Sequence, residues 1–390
     1  MRILMISDVY FPRINGVSTS ILTFQQELSK CGHDVHIVAP AYPAGHPIAA
    51  NVMRIESRYV ALDPEDRLMK PAKIHALLPQ FRAQNFDLIH IQTPFLAHYV
   101  GVKLARLLNI PTVETYHTFF EEYLYHYLPL LPKFITRRVT RSFSRSQCNA
   151  VDAVIVPSVA MRNVLQRYGC ESPIHVAPTG IQMEKFKSGI RSPFRASRGI
   201  PEDRPTLLFA GRVAHEKNIG FLLNVVARLK ENHPDILLLI CGEGPARRQL
   251  QHRSMRMGIA DSVMFIDYLD RETELLDCYR ASDIFVFASR TETQGLVLLE
   301  AMALGVPVVS TAVMGTIDIL SPNRGALVAV EEIKDFSAKI SLLLRNRALR
   351  MAIGADGREY AKTWNATVTT RRVVDIYQSA LDTRKVQYAQ

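Results

Sequence analysis

Ile236-Leu237-Leu238-Leu239-Ile240-Cys241-Gly242-Glu243-Gly244-Pro245 decides the fold class. The apolar run is short and does not alternate with polar residues, so it predicts a strand that needs cover on both faces. It breaks at once into glycines and a proline that opens a helix. A doubly buried strand leading into a helix is the repeating unit of a parallel sheet. Outward from it, strands are expected at Thr206–Gly211, Val263–Tyr268, Ile284–Ser289, Val306–Thr311 and Ala326–Val330. Beyond the breaker-rich Lys187–Pro205 the same alternation fills the first half, with strands at Ile3–Ser7, Val35–Pro40, Val52–Glu56, Asp87–Gln92, Thr112–His117, Ala153–Ser158 and Ile174–Pro178. Helices are expected at Val17–Lys30, Pro71–Gln84, Ala97–Leu107 and Pro132–Cys148. The expected fold is α/β, with two doubly wound domains, 1–185 and 186–365. A last helical segment (about Ala366–Ala380, within 366–390) packs back toward the first domain. Two such sheets place a ligand cleft outside their carboxyl strand ends.

Composition excludes several classes. Of 390 residues, 48% are apolar and 22% charged, which suits globular cores rather than disorder. No apolar run approaches the roughly 18 residues of a membrane-spanning helix, and the stretch after Met1 is too short for a signal segment. The expectation is a cytoplasmic chain. Cys31, Cys148, Cys170, Cys241 and Cys278 are scattered without a Cys-x-x-Cys pair, as reduced thiols are. The net charge of +10 is shared evenly: residues 1–185 hold 19 Lys/Arg against 14 Asp/Glu, and the remainder 28 against 23. An even spread without basic, aromatic-interleaved strands argues against a nucleic-acid binder.

Four stretches carry chemistry. Asp8-Val9-Tyr10-Phe11-Pro12 leads to Asn15-Gly16 before a helix, which fits a plain turn or an approach of backbone amides to an anion. Gly242-Glu243-Gly244 begins like a dinucleotide fingerprint, but Arg247 stands where its third glycine belongs. Gly211-Arg212 followed by Glu216-Lys217-Asn218 places two cations between a strand and a helix, fitting a diphosphate clamp or a solvated turn. In Thr291-Glu292-Thr293-Gln294-Gly295-Leu296-Val297-Leu298-Leu299-Glu300-Ala301-Met302, Glu300 sits among apolar residues and needs a partner if buried. Gln294-Gly295-Leu296 would open a helix with free amides beside Glu292.

Taken together and in this order, Gly211-Arg212, Glu216-Lys217-Asn218, Gly242-Glu243-Gly244-Pro245 and Glu292 to Glu300, with Gly305-x-Pro307, resemble glycosyltransferase family 4. The resemblance covers nearly the whole chain and implies the GT-B architecture of two Rossmann-like domains facing a cleft, the N-terminal one turned toward acceptor and membrane. It implies that Arg212 and Lys217 hold the leaving diphosphate, that Glu292 accepts from donor-sugar hydroxyls and that Glu300 bonds the ribose. Gly16, Gly211, Gly242, Gly244, Tyr268, Gln294, Gly295 and Leu296 would complete the donor site. His117, in Thr115-Tyr116-His117-Thr118, would face the donor sugar; taken alone, such a residue is more often a satisfied core or turn histidine. Many members have two glycines in the first loop where this chain has Asn15-Gly16, a departure that asparagine tolerates because it can still adopt φ > 0. The family implies transfer with retention. No Asp-x-Asp closes a strand, and His215-Glu216 has Ile219 where a metalloprotease-like motif needs its second histidine, so no catalytic metal or bound cofactor is expected. An epimerase or a phosphorylase of the same fold stays a rival.

The acceptor is read from 122–152, where no acidic residue occurs between Glu122 and Asp152. Lys133, Arg137, Arg138, Arg141 and Arg145 share one helical arc of about 140°, with Phe134 among them. Ile135, Val139 and Phe143 form a separate stripe, expected to pack inward while the cations face water or lipid headgroups. Upstream, Tyr123–Pro132 is apolar and aromatic. His117–Tyr123 and the first loop are similar to bacterial diacylglycerol glycosyltransferases. This implies a peripheral enzyme on the inner face of the cell membrane, adding glucose from UDP-glucose to diacylglycerol. A GDP-mannose enzyme acting on a phosphatidylinositol-like lipid or a glycan is the close rival.

Overall fold

The computed structural model describes residues 1–43, 51–60, 63–119 and 133–389. It divides into two compact units, Met1–Gly180 with Ala366–Gln390, and Ile181–Asn365. The division falls at Gly180, ahead of the expected residue 185. A side chain at Gly180 has no room, because its Cβ would lie 2.4 Å from the Cα of Ala366.

The first unit is built on β1 (Arg2–Ile6), β2 (Asp34–Pro40), β3 (Val52–Ile55), β4 (Ser57–Val60), β5 (Asp63–Met69), β6 (Leu88–Ile91), β7 (Thr112–Thr115), β8 (Ala153–Val156) and β9 (Ile174–Val176). Seven of these form one parallel sheet in the order β3-β2-β1-β6-β7-β8-β9. β4 and β5 pair antiparallel as a separate ribbon that the sequence reading did not anticipate. Asp63-Pro64-Glu65-Asp66-Arg67 carries too many charges to read as a strand. The expected helix Pro71–Gln84 is two short ones, Pro71–His75 and Leu78–Gln84.

The second unit holds β10 (Thr206–Ala210), β11 (Leu237–Cys241), β12 (Val263–Ile266), β13 (Ile284–Phe287), β14 (Val308–Ser310) and β15 (Ala326–Val328). They form a parallel sheet in the order β12-β11-β10-β13-β14-β15. Every residue of β10, β11 and β13 is buried, so each strand is covered on both faces. Each such Leu, Ile or Phe contributes roughly 1.5–3 kcal/mol to the core. In both sheets the chain winds outward to one edge and then returns to the other side of the first strand. The switch points are β1/β6 and β10/β13, where such folds bind ligands beyond the carboxyl strand ends.

The C-terminal helix, Ala366–Ala389, is longer than expected and belongs to the first unit. Val373, Ile376, Tyr377 and Ala380 enter that core at helical spacing. Thr367 Oγ1 donates to buried Glu27 at 2.8 Å, and Arg384 pairs with Asp152 at 3.2 Å. The start of the second unit is stapled by Arg195, whose guanidinium is fully buried. It donates to the carbonyls of Ala281, Pro201, Glu202 and Arg204, to Thr206 Oγ1 and to Asp283.

Candidate active site

In the second unit the expected donor residues all follow the carboxyl ends of adjacent strands. Gly211, Arg212 and Lys217 come after β10, Gly242 and Gly244 after β11, Tyr268 after β12, and Glu292, Gln294, Gly295 and Leu296 after β13. The glycines at the first two strand ends interlock. A Cβ on Gly242 (φ 134°) would lie 2.1 Å from the Gly211 carbonyl oxygen, and one on Gly244 (φ 153°) 2.4 Å from that of Val213. Val213 N donates to Glu243 O at 2.7 Å and Ala246 N to Val213 O at 3.0 Å. The Gly-Glu-Gly-Pro turn therefore holds the Arg212 loop in place by backbone contact, a role that its likeness to a nucleotide fingerprint does not reveal.

Lys217 ends a short 3-10 turn, His215–Lys217, and Asn218 (φ 55°) then turns the chain into the helix Ile219–Leu229. The Lys217 ammonium donates to the Glu292 carboxylate, and both side chains are about four-fifths sheltered (20% and 17% exposed). Two residues expected to serve opposite ends of a donor, cation for diphosphate and carboxylate for sugar, are thus direct neighbours. The Glu292 loop is fixed from outside the motif. Gly315 N donates to Glu292 O at 2.8 Å, and a Cβ on Gly315 would meet Thr293 O at 1.9 Å. Gly295, at φ 97°, opens the helix Leu296–Ala303, and Gln294 before it is buried.

Glu300 lies in that helix and is buried, as expected. Its partners escaped the sequence reading. Arg271 Nη2 donates to Oε1 at 2.5 Å and the Tyr279 hydroxyl to Oε2 at 3.0 Å. The Glu300 charge raises the pKa of Arg271, while burial first and Glu300 second push the Tyr279 hydroxyl well above its ordinary value. An acid among apolar neighbours signals that some cation must reach it. Nothing in the spacing names Arg271.

In the first unit, Gly16 is the first residue of the helix Gly16–Lys30 after β1. A Cβ there would meet nothing within 4 Å, so packing does not demand the glycine. Asn15 does not take the positive φ open to it. It is extended (φ −156°) and caps the helix, its Oδ1 accepting from Ser18 N at 2.8 Å. His117 follows β7, and its Nε2 lies 3.1 Å from Gln92 Oε1. Burial lowers its pKa to about 4, so the ring is neutral near pH 7.

The basic helix, Lys133–Cys148, is turned differently from the expectation. Ile135 and Val139 do not pack inward: they are 37% and 54% exposed, and Phe134 is 72% exposed. The buried side carries Thr136, Thr140, Ser144, Gln147 and Cys148. Ser144 Oγ bonds the Tyr116 hydroxyl at 2.7 Å, and Gln147 donates to the Pro94 carbonyl. Polar partners on the neighbouring segments select that face over the apolar stripe. Arg137, Arg138, Arg141 and Arg145 are exposed, Arg141 lying 5.6 Å from the Tyr168 ring centre. The Lys133 side chain, Phe120–Glu122 and the aromatic Tyr123–Pro132 lie outside the described residues. No helix among the described residues is long and apolar enough to cross a membrane.

The family model for glycosyltransferase family 4 matches residues 14–185, and that for glycosyl transferases group 1 matches residues 191–360. An alpha-monoglucosyldiacylglycerol synthase of Streptococcus pneumoniae is 34% identical over 80% of this chain and 71% of its own length. The chain belongs to glycosyltransferase family 4. A GDP-mannose-dependent alpha-mannosyltransferase of Mycobacterium tuberculosis is 26% identical over 100% of this glycosyltransferase and 99% of its own chain. Among solved structures, a sucrose-phosphate synthase of Thermosynechococcus elongatus superposes with a TM-score of 0.80 at 22% identity, covering 98% and 99% of the two chains. HepE of Anabaena, in complex with UDP-glucose, gives 0.77 at 16% identity, covering 97% and 100%. The glycosyltransferase has the GT-B fold of these proteins.

Proposed function

We propose that this glycosyltransferase moves a hexose, glucose from UDP-glucose, onto the hydroxyl of a membrane lipid such as diacylglycerol, with retention and without a catalytic metal. The observation that carries the lipid reading is the outward face of the basic helix, where Phe134, Ile135 and Val139 stand exposed beside Arg137, Arg138 and Arg141. Large apolar side chains interleaved with arginines suit the boundary between acyl chains and anionic headgroups. The similarity to an alpha-monoglucosyldiacylglycerol synthase supports the same acceptor.

Chemically, departure of a nucleoside diphosphate needs positive charge placed in advance where negative charge develops. Arg212 and Lys217 supply it as fixed cations, with Glu292 taking sugar hydroxyls and Glu300 the ribose. Retention then follows from attack on the face the diphosphate leaves, a departing phosphate oxygen accepting the acceptor proton. The alternative, mannose from GDP-mannose onto a phosphatidylinositol-like lipid or a glycan, is favoured by the full-length match to the mycobacterial mannosyltransferase.

The test incubates purified protein with labelled UDP-glucose or GDP-mannose and vesicles of diacylglycerol or phosphatidylinositol in phosphatidylglycerol, with and without EDTA. The expected product is an alpha-glucosyl diacylglycerol formed equally in EDTA and favoured by the anionic lipid. Mannose transfer instead would establish the alternative. Equal turnover on neutral vesicles would remove the electrostatic role of the helix.

A further inference from the structure

Glu300 is an acid buried in a helix of otherwise apolar residues, so what holds its carboxylate decides what that carboxylate can do. The structure describes one donor on each oxygen, Arg271 on Oε1 and the Tyr279 hydroxyl on Oε2. The two are unlike. Arg271 is a permanent cation that can only donate, and Tyr279 is a phenol that burial first and the Glu300 charge second keep protonated. Each oxygen of a carboxylate has a second lone-pair site, so one held in this way can take two further donors, one per oxygen. The 2′ and 3′ hydroxyls of a ribose are two donors on neighbouring carbons.

Both partners are anchored within the second unit. Tyr279 is fully buried in the helix Glu274–Ala281, its ring tilted against Phe285 of β13 with centres 5.6 Å apart. Arg271 sits on the turn that leads from β12 into that helix, and Asp270 ties the turn down. Its Oδ1 accepts from Glu272 N at 3.1 Å, Thr273 N at 3.0 Å and Thr273 Oγ1 at 2.7 Å, and its carbonyl accepts from Leu275 N at 2.9 Å. The Arg271 side chain is 30% exposed and that of Glu300 5%, which makes the guanidinium the outer member of the pair.

We propose that Arg271 and Tyr279 are positioning residues that hold the Glu300 carboxylate in the orientation in which it accepts from ribose hydroxyls, and that they thereby set a preference for ribonucleotides over deoxyribonucleotides. The inference rests on the ribose reading of Glu300 and adds what gives that acid its selectivity. With each oxygen tied to its own donor, rotating the carboxylate breaks both hydrogen bonds, so the acceptor geometry exists before the nucleotide arrives. A hydroxyl missing from the ligand then leaves a sheltered acceptor without its partner, which costs more than a contact surrendered to water.

The test titrates full-length protein calorimetrically with UDP, 2′-deoxy-UDP and 3′-deoxy-UDP, and with GDP and its two deoxy forms. Wild type is expected to bind at least one deoxy form of its nucleotide about tenfold or more weakly than the parent. In Tyr279→Phe and in Arg271→Met that ratio is expected to fall to about threefold or less, with Arg271→Lys, which keeps the cation and loses the planar fork, in between. The ratio is the readout because a variant that merely loosens the fold weakens parent and deoxy nucleotide alike. Tyr279→Phe keeps the ring and the Arg271 ion pair, so it decides the matter even where Arg271→Met does not fold. The wild-type ratio retained in Tyr279→Phe, or in folded Arg271→Met, would overturn the proposal and leave the ribose role of Glu300 standing. Equal binding of parent and deoxy forms by wild type would overturn that role as well. Binding of neither UDP nor GDP would sink the functional reading and the inference with it.

Discussion

The two units share one winding pattern but differ in how burial and charge are balanced near their strand ends. In the second unit the strand-end acids are paired with cations: Glu292 with Lys217, Glu300 with Arg271. In the first unit the strand-end groups lean toward neutrality. His90 and His117 are held uncharged by burial, burial raises the pKa of Glu114 beside His98, and Asp8 is raised to about 6. On the proposed function, charge is kept on the unit that would hold the diphosphate, and the buried histidines of the other unit stay neutral. Topology alone imposes neither pattern, because the strand order is alike in both.

The sharpest way to break this comparison is to discharge the second unit. Lys217→Ala and Glu292→Ala are each expected to lower kcat/KM by about 10²–10³, the scale of removing one preorganised group from a developing charge. The fold should survive with a cooperative melt at a lowered midpoint, because each variant leaves a four-fifths-sheltered charge without its partner. Near-normal turnover in either variant would end the assignment of charge to the donor side.

Acid should separate the units next. His90 and His117 have folded pKa values of about 3 and about 4, below the ordinary 6.5. Between pH 6.5 and these values the unfolded chain binds protons that the folded unit refuses, so stability falls as pH falls. The loss at His90 is on the order of a few kcal/mol by pH 4. Asp8 works in the other direction. Its folded value of about 6 exceeds 3.8, so the folded unit gains stability as pH drops through that window, which partly offsets the histidines. Hydrogen exchange at pH 4.5 and pH 7 should show Met1–Gly180 losing protection before Ile181–Asn365. Simultaneous loss would contradict the difference between the units.

A smaller effect is expected at the interlocked turns. Gly244→Ala forces φ 153° on an alanine and drives its Cβ against the Val213 carbonyl, costing about 1–3 kcal/mol. A denaturant midpoint indistinguishable from wild type would show that the Arg212 loop does not depend on that contact.

These elements also mark how far the sequence can be read. Strands such as Leu237–Cys241 are legible because burial on both faces leaves an uninterrupted apolar run, and the loops beyond them because glycine and charge concentrate there. The ribbon of β4 and β5 is hidden by its charges. Arg271 and Tyr279 are hidden for a different reason. Each is an ordinary residue of its own segment, and its role exists only through a partner brought close by the fold, 29 and 21 positions away. A motif states which chemistry a backbone turn permits, whereas a tertiary hydrogen bond leaves no local trace.

The basic helix poses the same problem on a smaller scale, and a conservative exchange resolves it. Helical periodicity offers two faces, and apolarity alone would turn Ile135, Val139 and Phe143 inward. In the structure Thr136, Thr140 and Ser144 are inside. Thr140 Oγ1 is buried and has no hydrogen-bond partner among the described residues. Thr140→Val keeps the shape and removes that hydroxyl, so it should stabilise the protein by about 1 kcal/mol. Val139→Ser, at a position 54% exposed, should change stability by less than about 0.5 kcal/mol while weakening association with anionic vesicles. Were the apolar stripe the packed face, the signs would reverse: Val139→Ser would destabilise strongly and Thr140→Val would alter only the surface. Two melting curves and one vesicle titration distinguish the cases, and with them whether the outward side of this helix is free to meet a lipid.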